Sequence, residues 1–494
     1  AYVHCNDISH GIVLSTIINP PQKKELIDGV SYILIDAFKE LDDKKCKKWK
    51  EIQKRISGNI PQLKPNRPRP YQKPIIKKVS NLLSEVNNSR GKLIMPCGTG
   101  KSLISYFISR EISAKKILIC LPSLYLVNQS LKTWANEYIA NKNKFDYLCV
   151  CSDDTVDDIE DDSFNDSAKS LGVKVTTNKK EIKKFLDFKT DNPKIVFTTY
   201  QSGIVLSNAA KNHIFDIGIF DEAHKTVGNK IKRAAHLIFQ ENIKISKRLF
   251  MTATERVYGG TNEQVISMDN KEFYGEILYY MSFAEAVEKK IICDYEILTL
   301  KVDSSDIENI IDSNLFLKLK QNIGFGNNQY TENNEFLARE IAVAIALKKA
   351  SNKYKILKTI SFHNSILGSK RFKIIIDEIQ NYYKEINKID IFHTSSKQDI
   401  SQREVYMKMF EKSKNALITN ARCLTEGVDI PAVDCVTFVD PKKSKVDIVQ
   451  ATGRAMRKSP ATGKKKGYVI VPVIKSSVNK NNAFKDVLDV IGSL

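Results

Sequence analysis

With 494 residues, 42% of them hydrophobic and 27% charged, the chain is long enough for about two to four domains of ~100–200 residues and too long for one small module. No apolar run approaches the ~18 residues that a spanning helix needs, and Asp7 and His10 interrupt the segment before Gly11, so neither membrane insertion nor a secretory leader is expected. The formal net charge of +20 favours a polyanionic partner through counterion release, although a lysine-rich surface alone would give the same total.

Nine cysteines (Cys5, Cys46, Cys97, Cys120, Cys149, Cys151, Cys293, Cys423 and Cys435) contain no C-x-x-C pair, and several lie in apolar runs. They read as buried thiols of the cytoplasm or another reducing compartment, without a zinc site or disulfide framework.

In chain order, residues 1–66 carry helical periodicity in "KELIDGVSYILIDAFKELDDKKCKKWKEIQKRI" and run into the breaker "PQLKPNRPRP". A short helical N-terminal region, or the remnant of a preceding domain, is expected. The chain starts at Ala1 and stops inside the helix-like "NNAFKDVLDVIGSL", as a piece of a longer protein would.

Across 67–281 the apolar runs "KLIM", "KILICLP", "KIVFTTY", "DIGIFDEAH" and "RLFMTAT" alternate with helical stretches. That alternation predicts right-handed crossovers and a mostly parallel sheet. Residues 282–353 have one strand-like run, "DYEILTLKV", and are otherwise helical, as in "FLAREIAVAIALKKA"; they read as a connector with a helical insertion. A second series, "KTISFHNS", "IDIFHTS", "NALITNARC", "CVTFVDP" and "KGYVIVPV", fills 354–494. The fold class is therefore α/β, with two parallel-sheet lobes in tandem. The segment "SDDTVDDIEDDSFND" gathers eight acidic residues, and a solvated loop explains it better than a metal site.

The stretch "KLIMPCGTGKSLISYF" ends a strand in Gly98-Thr99-Gly100 and begins a helix at Lys101. Backbone N–H groups of such a turn curl around an anion, and the helix N-terminus adds positive potential. Lys101 supplies a mobile charge for β and γ phosphates and Ser102 a hydroxyl for Mg²⁺. The phosphate-loop pattern is complete except that Met95 stands where its first glycine belongs. Downstream, "IGIFDEAHK" brings Asp221 and Glu222 to a strand's carboxyl end, where open parallel sheets hold ligands. Asp221 suits Mg²⁺, and Glu222 suits the attacking water.

These segments, in order, resemble the superfamily-two helicases and translocases of the DEAH-lettered kind. "RPYQ", with Arg69 and Gln72, resembles the adenine-reading element, "MPCGTGKS" with Cys97 to Ser102 motif I, "LPSLYLVNQ" motif Ia, "TTYQS" the strand-contacting motif, "DEAH" motif II and "TAT" motif III. "ISFHNSI" resembles motif IV, "TNARCLTEGVDIPAVD" motif V and "QATGRAMR" motif VI. The resemblance spans Arg69 to Val473. Within the superfamily, "CSDDTVDD", "GVKVTTNKKEIKKFL" and "FYGEILYYMSFAEAVEKKIICDYEI" are similar to motors of single-chain type I-like restriction-modification enzymes and of related viral and plasmid helicases.

The resemblance implies two RecA-like lobes with an ATP cleft between them, ATP and Mg²⁺ as cofactors, and a nucleic-acid partner, DNA favoured over RNA. It also implies further domains or subunits of a larger assembly. Gln450, Arg454 and Arg457 share one helix face at spacings of four and three. By resemblance Arg454 and Arg457 reach ATP from the second lobe, while Gly427 and Asp429 couple nucleotide to that lobe. Thr252 and Thr254 would link hydrolysis to strand contacts. Implied backbone contacts are Pro122, Ser123, Gln129, Thr198, Thr199, Tyr200, Gln201, His363, Thr394, Asn420 and Thr425, with Tyr200 and His363 equally readable as packed core. The expected activity is ATP-driven translocation or unwinding of DNA, in restriction, defence or a viral system. An RNA helicase, or a nucleotide-controlled assembly switch with little turnover, are the alternatives.

Overall fold

In the computed structural model the proline-rich breaker separates two units, Ala1–Pro65 and Asn66–Leu494. The structure describes residues 11–15, 30–34 and 63–494, apart from 86–88, 152–174, 230–231, 259–264, 303–308, 311–312, 323–333, 383–387, 396–397, 399, 422–432, 460–462 and 475–483. The acidic segment at 152–166 and the motif V residues Thr425, Gly427 and Asp429 lie outside the described residues.

In the first unit, β1 (Gly11–Ser15) and β2 (Val30–Leu34) pair in parallel, Gly11 opposite Val30 and Ser15 opposite Leu34. This corrects the helical reading of "VSYIL": Val30, Tyr32 and Ile33 are β-branched or aromatic and favour pleated backbone.

The second unit holds two sheets. The first comprises β3 (Arg90–Ile94), β4 (Lys116–Leu121), β5 (Asp146–Val150), β6 (Val175–Thr176), β7 (Lys194–Thr199), β8 (Ile214–Phe220), β10 (Lys244–Thr252) and β12 (Glu276–Tyr280). Two-residue strands β9 (Gly228–Asn229) and β11 (Val265–Ile266) pair antiparallel beside it. The sheet runs β12-β3-β10-β8-β4-β7-β5-β6, and every neighbouring pair is parallel. Successive residues of a strand point to opposite faces. Ile117 and Ile119 of β4 accordingly pack with the helices Gln72–Ser84, Lys101–Glu111 and Leu124–Ala140, while Leu118 and Cys120 pack with Lys179–Asp187 and Gly203–Ala209. Burial on both faces explains why these strands read as unbroken apolar runs.

The second sheet comprises β13 (Asp294–Val302), β14 (Lys358–His363), β15 (Asp390–Ser395), β16 (Ala416–Ala421), β17 (Cys435–Phe438) and β18 (Lys466–Ile474), ordered β13-β18-β17-β14-β16-β15 and parallel throughout. All eleven strand-like runs quoted above are strands, and the chain has the expected α/β fold of two RecA-like lobes. The stretch read as a connector does more than connect. Its β13 is the edge strand of the second sheet, paired with β18 over nine residues, and its helix Asn334–Lys353 packs in that lobe's core. A doubly bonded ion pair, Arg371 Nε to Glu340 Oε2 at 2.5 Å and Nη2 to Oε1 at 3.0 Å, joins this helix to Ile366–Tyr382.

Among the described residues, no helix is long and apolar enough to cross a membrane. Six described cysteines are free thiols, and all but Cys97 are buried.

Candidate active site

The carboxyl ends of β3, β10 and β8 lie side by side, so the phosphate loop, Thr252 and Asp221 meet at one edge of the first sheet. The loop after β3 needs two residues in left-handed backbone, and glycine occupies both: Gly98 has φ +83° and Gly100, the helix N-cap, φ +79°. Lys101 is buried and donates from Nζ to the carbonyls of Met95 at 3.0 Å and Pro96 at 3.4 Å. Thr99 Oγ1 donates to Pro96 O at 2.8 Å, closing the turn on itself.

The residues expected to read adenine brace this loop. Gln72 Nε2 donates to Thr99 O at 3.1 Å, its Oε1 accepts from the Arg69 amide at 3.0 Å, and Tyr71 donates its hydroxyl to the same Thr99 carbonyl at 2.8 Å. Sequence reasoning missed Tyr71. Its signal was its place inside "RPYQ".

Asp221 and Glu222 follow β8 and are coupled by a bond from the Glu222 amide to Asp221 Oδ1 at 3.1 Å. Glu222 has φ +48°, a left-handed backbone costing about 1–3 kcal/mol outside glycine, which aims its side chain away from the strand's line. Burial pushes both carboxyl pKa values up, and Lys101 pulls both down. For Glu222, neighbouring Asp221 adds to the rise, while Lys225 and the Gln450 amide oppose it. His224, also missed, is buried with Nδ1 3.5 Å from Glu222 Oε2 and 3.1 Å from Thr252 Oγ1. Burial holds its pKa well below the usual imidazole value. Thr252 Oγ1 in turn donates to Thr254 O at 2.8 Å, so motifs II and III form one bonded chain through His224.

The second lobe closes over this edge. Helix Lys445–Ala455, N-capped by Ser444 Oγ bonded to the Asp447 amide, carries Gln450, Gly453 and Arg454, with Arg457 just past its end. Gln450 faces Glu222 and is buried. The Arg457 side chain lies on the phosphate loop, since a Cβ added to Gly98 would come 3.1 Å from Arg457 Cγ and 3.9 Å from its Nε. Val449 and Met456 belong to the same hydrophobic cluster as Leu93, Ile104 and Met251 of the first lobe. The structure thus brings together Lys101, Asp221, Glu222, Gln450 and Arg457, with Arg454 on the same helix. Apart from their facing one another and the His224 contact, Glu222 Oε2 and both amide atoms of Gln450 are buried and make no well-formed hydrogen bond, which leaves them polar capacity to offer a ligand.

The residues assigned to a nucleic-acid strand are divided. Pro122, Ser123 and Gln129 follow β4, with Ser123 capping helix Leu124–Ala140 by accepting from the Leu126 amide at 3.4 Å. Gln201 is exposed. Ser123, Thr198, Thr199, Tyr200, His363, Thr394 and Asn420 are buried among neighbouring elements rather than exposed as Gln201 is. Buried strand-end hydroxyls satisfy neighbouring polar groups. Thr198 Oγ1 donates to Val150 O at 3.0 Å, Thr199 Oγ1 to Ser202 Oγ at 3.1 Å, and the Tyr200 hydroxyl to Asp221 O at 2.6 Å. His363 meets Ser361 Oγ at 3.0 Å and packs on Phe372.

Two families match the chain: the one described as "Type III restriction enzyme, res subunit" over residues 66–256, and "Helicase conserved C-terminal domain" over residues 342–459. A probable helicase of African swine fever virus is 24% identical over 376 residues, covering 75% of this chain and 37% of its own length. The ATP-dependent Type ISP restriction-modification enzyme LlaBIII, solved bound to DNA, superposes with a TM-score of 0.69 at 27% identity, over 87% of this chain and 30% of LlaBIII. A nuclease-deletion mutant of the Type ISP enzyme LlaGI, solved with a DNA substrate mimic, gives a TM-score of 0.54 at 26% identity over 86% of this chain and 28% of LlaGI. The chain spans about a third of the length of these relatives.

Proposed function

We propose that the chain, which is similar to helicases and to the Type ISP restriction-modification enzymes, hydrolyses ATP and couples hydrolysis to movement along DNA. The observation that carries this reading is the meeting of motif VI with both halves of the phosphate site: Gln450 against Glu222, and Arg457 on Gly98. A triphosphate between the lobes would be gripped by Lys101 from one side and by Arg454 and Arg457 from the other. Charge developing on the γ phosphate is then met by preorganised cations in a site that excludes water.

Glu222 is the group that orients the attacking water and accepts its proton. Gln450 faces the carboxylate and helps hold the same water in line, and Lys101 opposes the rise that burial imposes on the Glu222 pKa. Mg²⁺ would be held by Asp221 and Ser102, with its other ligands from phosphate and water, and would neutralise phosphate charge. Among the described residues no three His, Cys, Asp or Glu side chains form a cation site of their own.

Nucleotide-dependent closure gives the lobes two arrangements, and alternation between them on a polymer yields stepping. DNA is the partner favoured, supported by the net charge of +20 and by the DNA complexes of LlaBIII and LlaGI. The deciding experiment measures ATP turnover alone and with single-stranded DNA, duplex DNA and RNA of matched length, followed by triplex displacement. Strong DNA stimulation that Lys101→Ala abolishes supports the reading. Tight ATP binding with equal, negligible turnover under all conditions overturns it in favour of a nucleotide switch.

A further inference from the structure

Resting on the reading of Arg454 and Arg457 as ATP-facing groups, we propose that Lys464 is a positioning residue that clamps the arginine-bearing turn and thereby sets the rate of hydrolysis without touching nucleotide. Helix Lys445–Ala455 ends between the two arginines, and its last carbonyls have no partner within the helix. Lys464 Nζ supplies one, donating to Ala455 O and to Val433 O just before β17. A cation there also meets the negative end of the helix dipole.

The following residues are tied from the interlobe crossing. The Cys293 amide donates to Met456 O at 2.7 Å, its thiol lies 3.8 Å from Arg457 O and 3.7 Å from Lys464 O, and Lys458 Nζ donates to Lys290 O. Residues 455 to 458 are therefore each bonded to Lys464 or to the 290–293 stretch that leads from the first lobe into β13. The start of β18 backs the same carbonyl, because a Cβ added to Gly467 would come 2.2 Å from Ala455 O. Nothing in the motif set points to this lysine, which sits in the anonymous run "GKKKGY".

The charged and titratable groups facing Lys464 are Cys293, Asp434 and Cys435, which favour its ammonium form, and Arg457, which opposes it. Burial outweighs them and brings its pKa down to about 8. The ammonium is lost in mildly alkaline solution, and with it the charge assistance of both carbonyl bonds. Lys464 borders a cavity of about 420 Å³ shared with Lys355, Lys358 and Asp434, so an arginine has room to take its place.

The test uses the full chain with whichever polymer stimulates the wild type. Lys464→Met is expected to lower kcat about tenfold or more while KM for ATP stays within about twofold, the signature of an interaction that matters in the transition state. Wild-type kcat should fall as pH rises through about 8. Lys464→Arg, which stays charged, should retain its rate there. Hydrogen exchange gives a readout independent of turnover: amides 454–458 should exchange faster in Lys464→Met. A folded Lys464→Met with wild-type kcat, an alkaline fall unchanged in Lys464→Arg, or unchanged exchange at 454–458 would each overturn the clamp. A wild type inert towards ATP with every polymer instead overturns the functional reading, and the exchange measurement still judges the clamp.

Discussion

Gly453 of the second lobe faces Cys97 of the phosphate loop with room for a hydrogen and little more. A Cβ at Gly453 would stand 3.1 Å from Cys97 Cβ, 3.6 Å from its Sγ and 3.8 Å from Phe283 Cε1. Glycine inside a helix ordinarily costs about 1 kcal/mol relative to alanine. Its presence at this position therefore reflects contact between lobes rather than helix stability. Gly453→Val should hold the cleft open, lowering kcat at least about a hundredfold, while binding of a fluorescent ATP analogue to the first lobe changes only a few-fold. Wild-type turnover in a folded Gly453→Val protein would contradict closure at this contact.

Glu222 and Gln450 act on the same water in the proposed mechanism, so their losses should not add. Glu222→Gln should reduce kcat by about 10²–10⁴-fold, the range expected for a positioned general base. Gln450→Ala should cost less, and the double variant should match Glu222→Gln alone. Steady-state ATPase assays of the three proteins decide this; multiplicative losses would show that the residues work independently.

The Arg371–Glu340 pair is nearly sealed, with side chains 5% and 6% exposed. Removing one member strands a buried charge, so Arg371→Met should destabilise the second lobe by about 3–5 kcal/mol. Adding Glu340→Leu should recover most of that loss. Urea unfolding monitored on the second lobe tests both, and a single variant within error of wild type would contradict the pair's role in docking helix Asn334–Lys353.

Two buried histidines, His224 and His363, and the half-buried His393 make stability pH-dependent. Burial lowers the pKa of His224 well below the ordinary value, that of His363 to about 3 and that of His393 to about 4. The unfolded chain takes up these protons near pH 6.5 and the folded chain does not. Their contribution is thus intact above about 6.5 and is lost as pH falls, the loss growing until about 4 for His393 and 3 for His363. Asp221 and Glu222, whose pKa values are raised, have the opposite sign and offset part of it. The urea midpoint should drop between pH 7.5 and 5.0, and less so in His363→Phe. An equal drop in both proteins would show that His363 does not contribute.

Much of the site was legible because phosphate chemistry demands particular residue types in a local order. Gly98 and Gly100 are required by backbone sign, and Lys101, Asp221 and Glu222 by charge at strand ends; each demand is met within a few residues. The strand-contact assignments were less secure for a physical reason. Threonine and tyrosine at a strand end suit a phosphate or a buried carbonyl equally well, and only packing decides, as Tyr200 bonded to the Asp221 carbonyl shows. His224 and Tyr71 were visible within quoted motifs, but their roles as braces depend on partners 28 residues away in each case.

Taken alone, the order of residues determined the two parallel sheets, the phosphate turn and the acidic pair, because periodicity and turn chemistry are local properties of the chain. Only the tertiary structure decided that β13 belongs to the second sheet, that Arg457 rests on Gly98, and that Lys464 caps the arginine helix. Each of these joins residues more than a hundred positions apart, or a side chain to a carbonyl, and neither relation leaves a periodic trace. They arise from which surfaces bury one another once both lobes have formed.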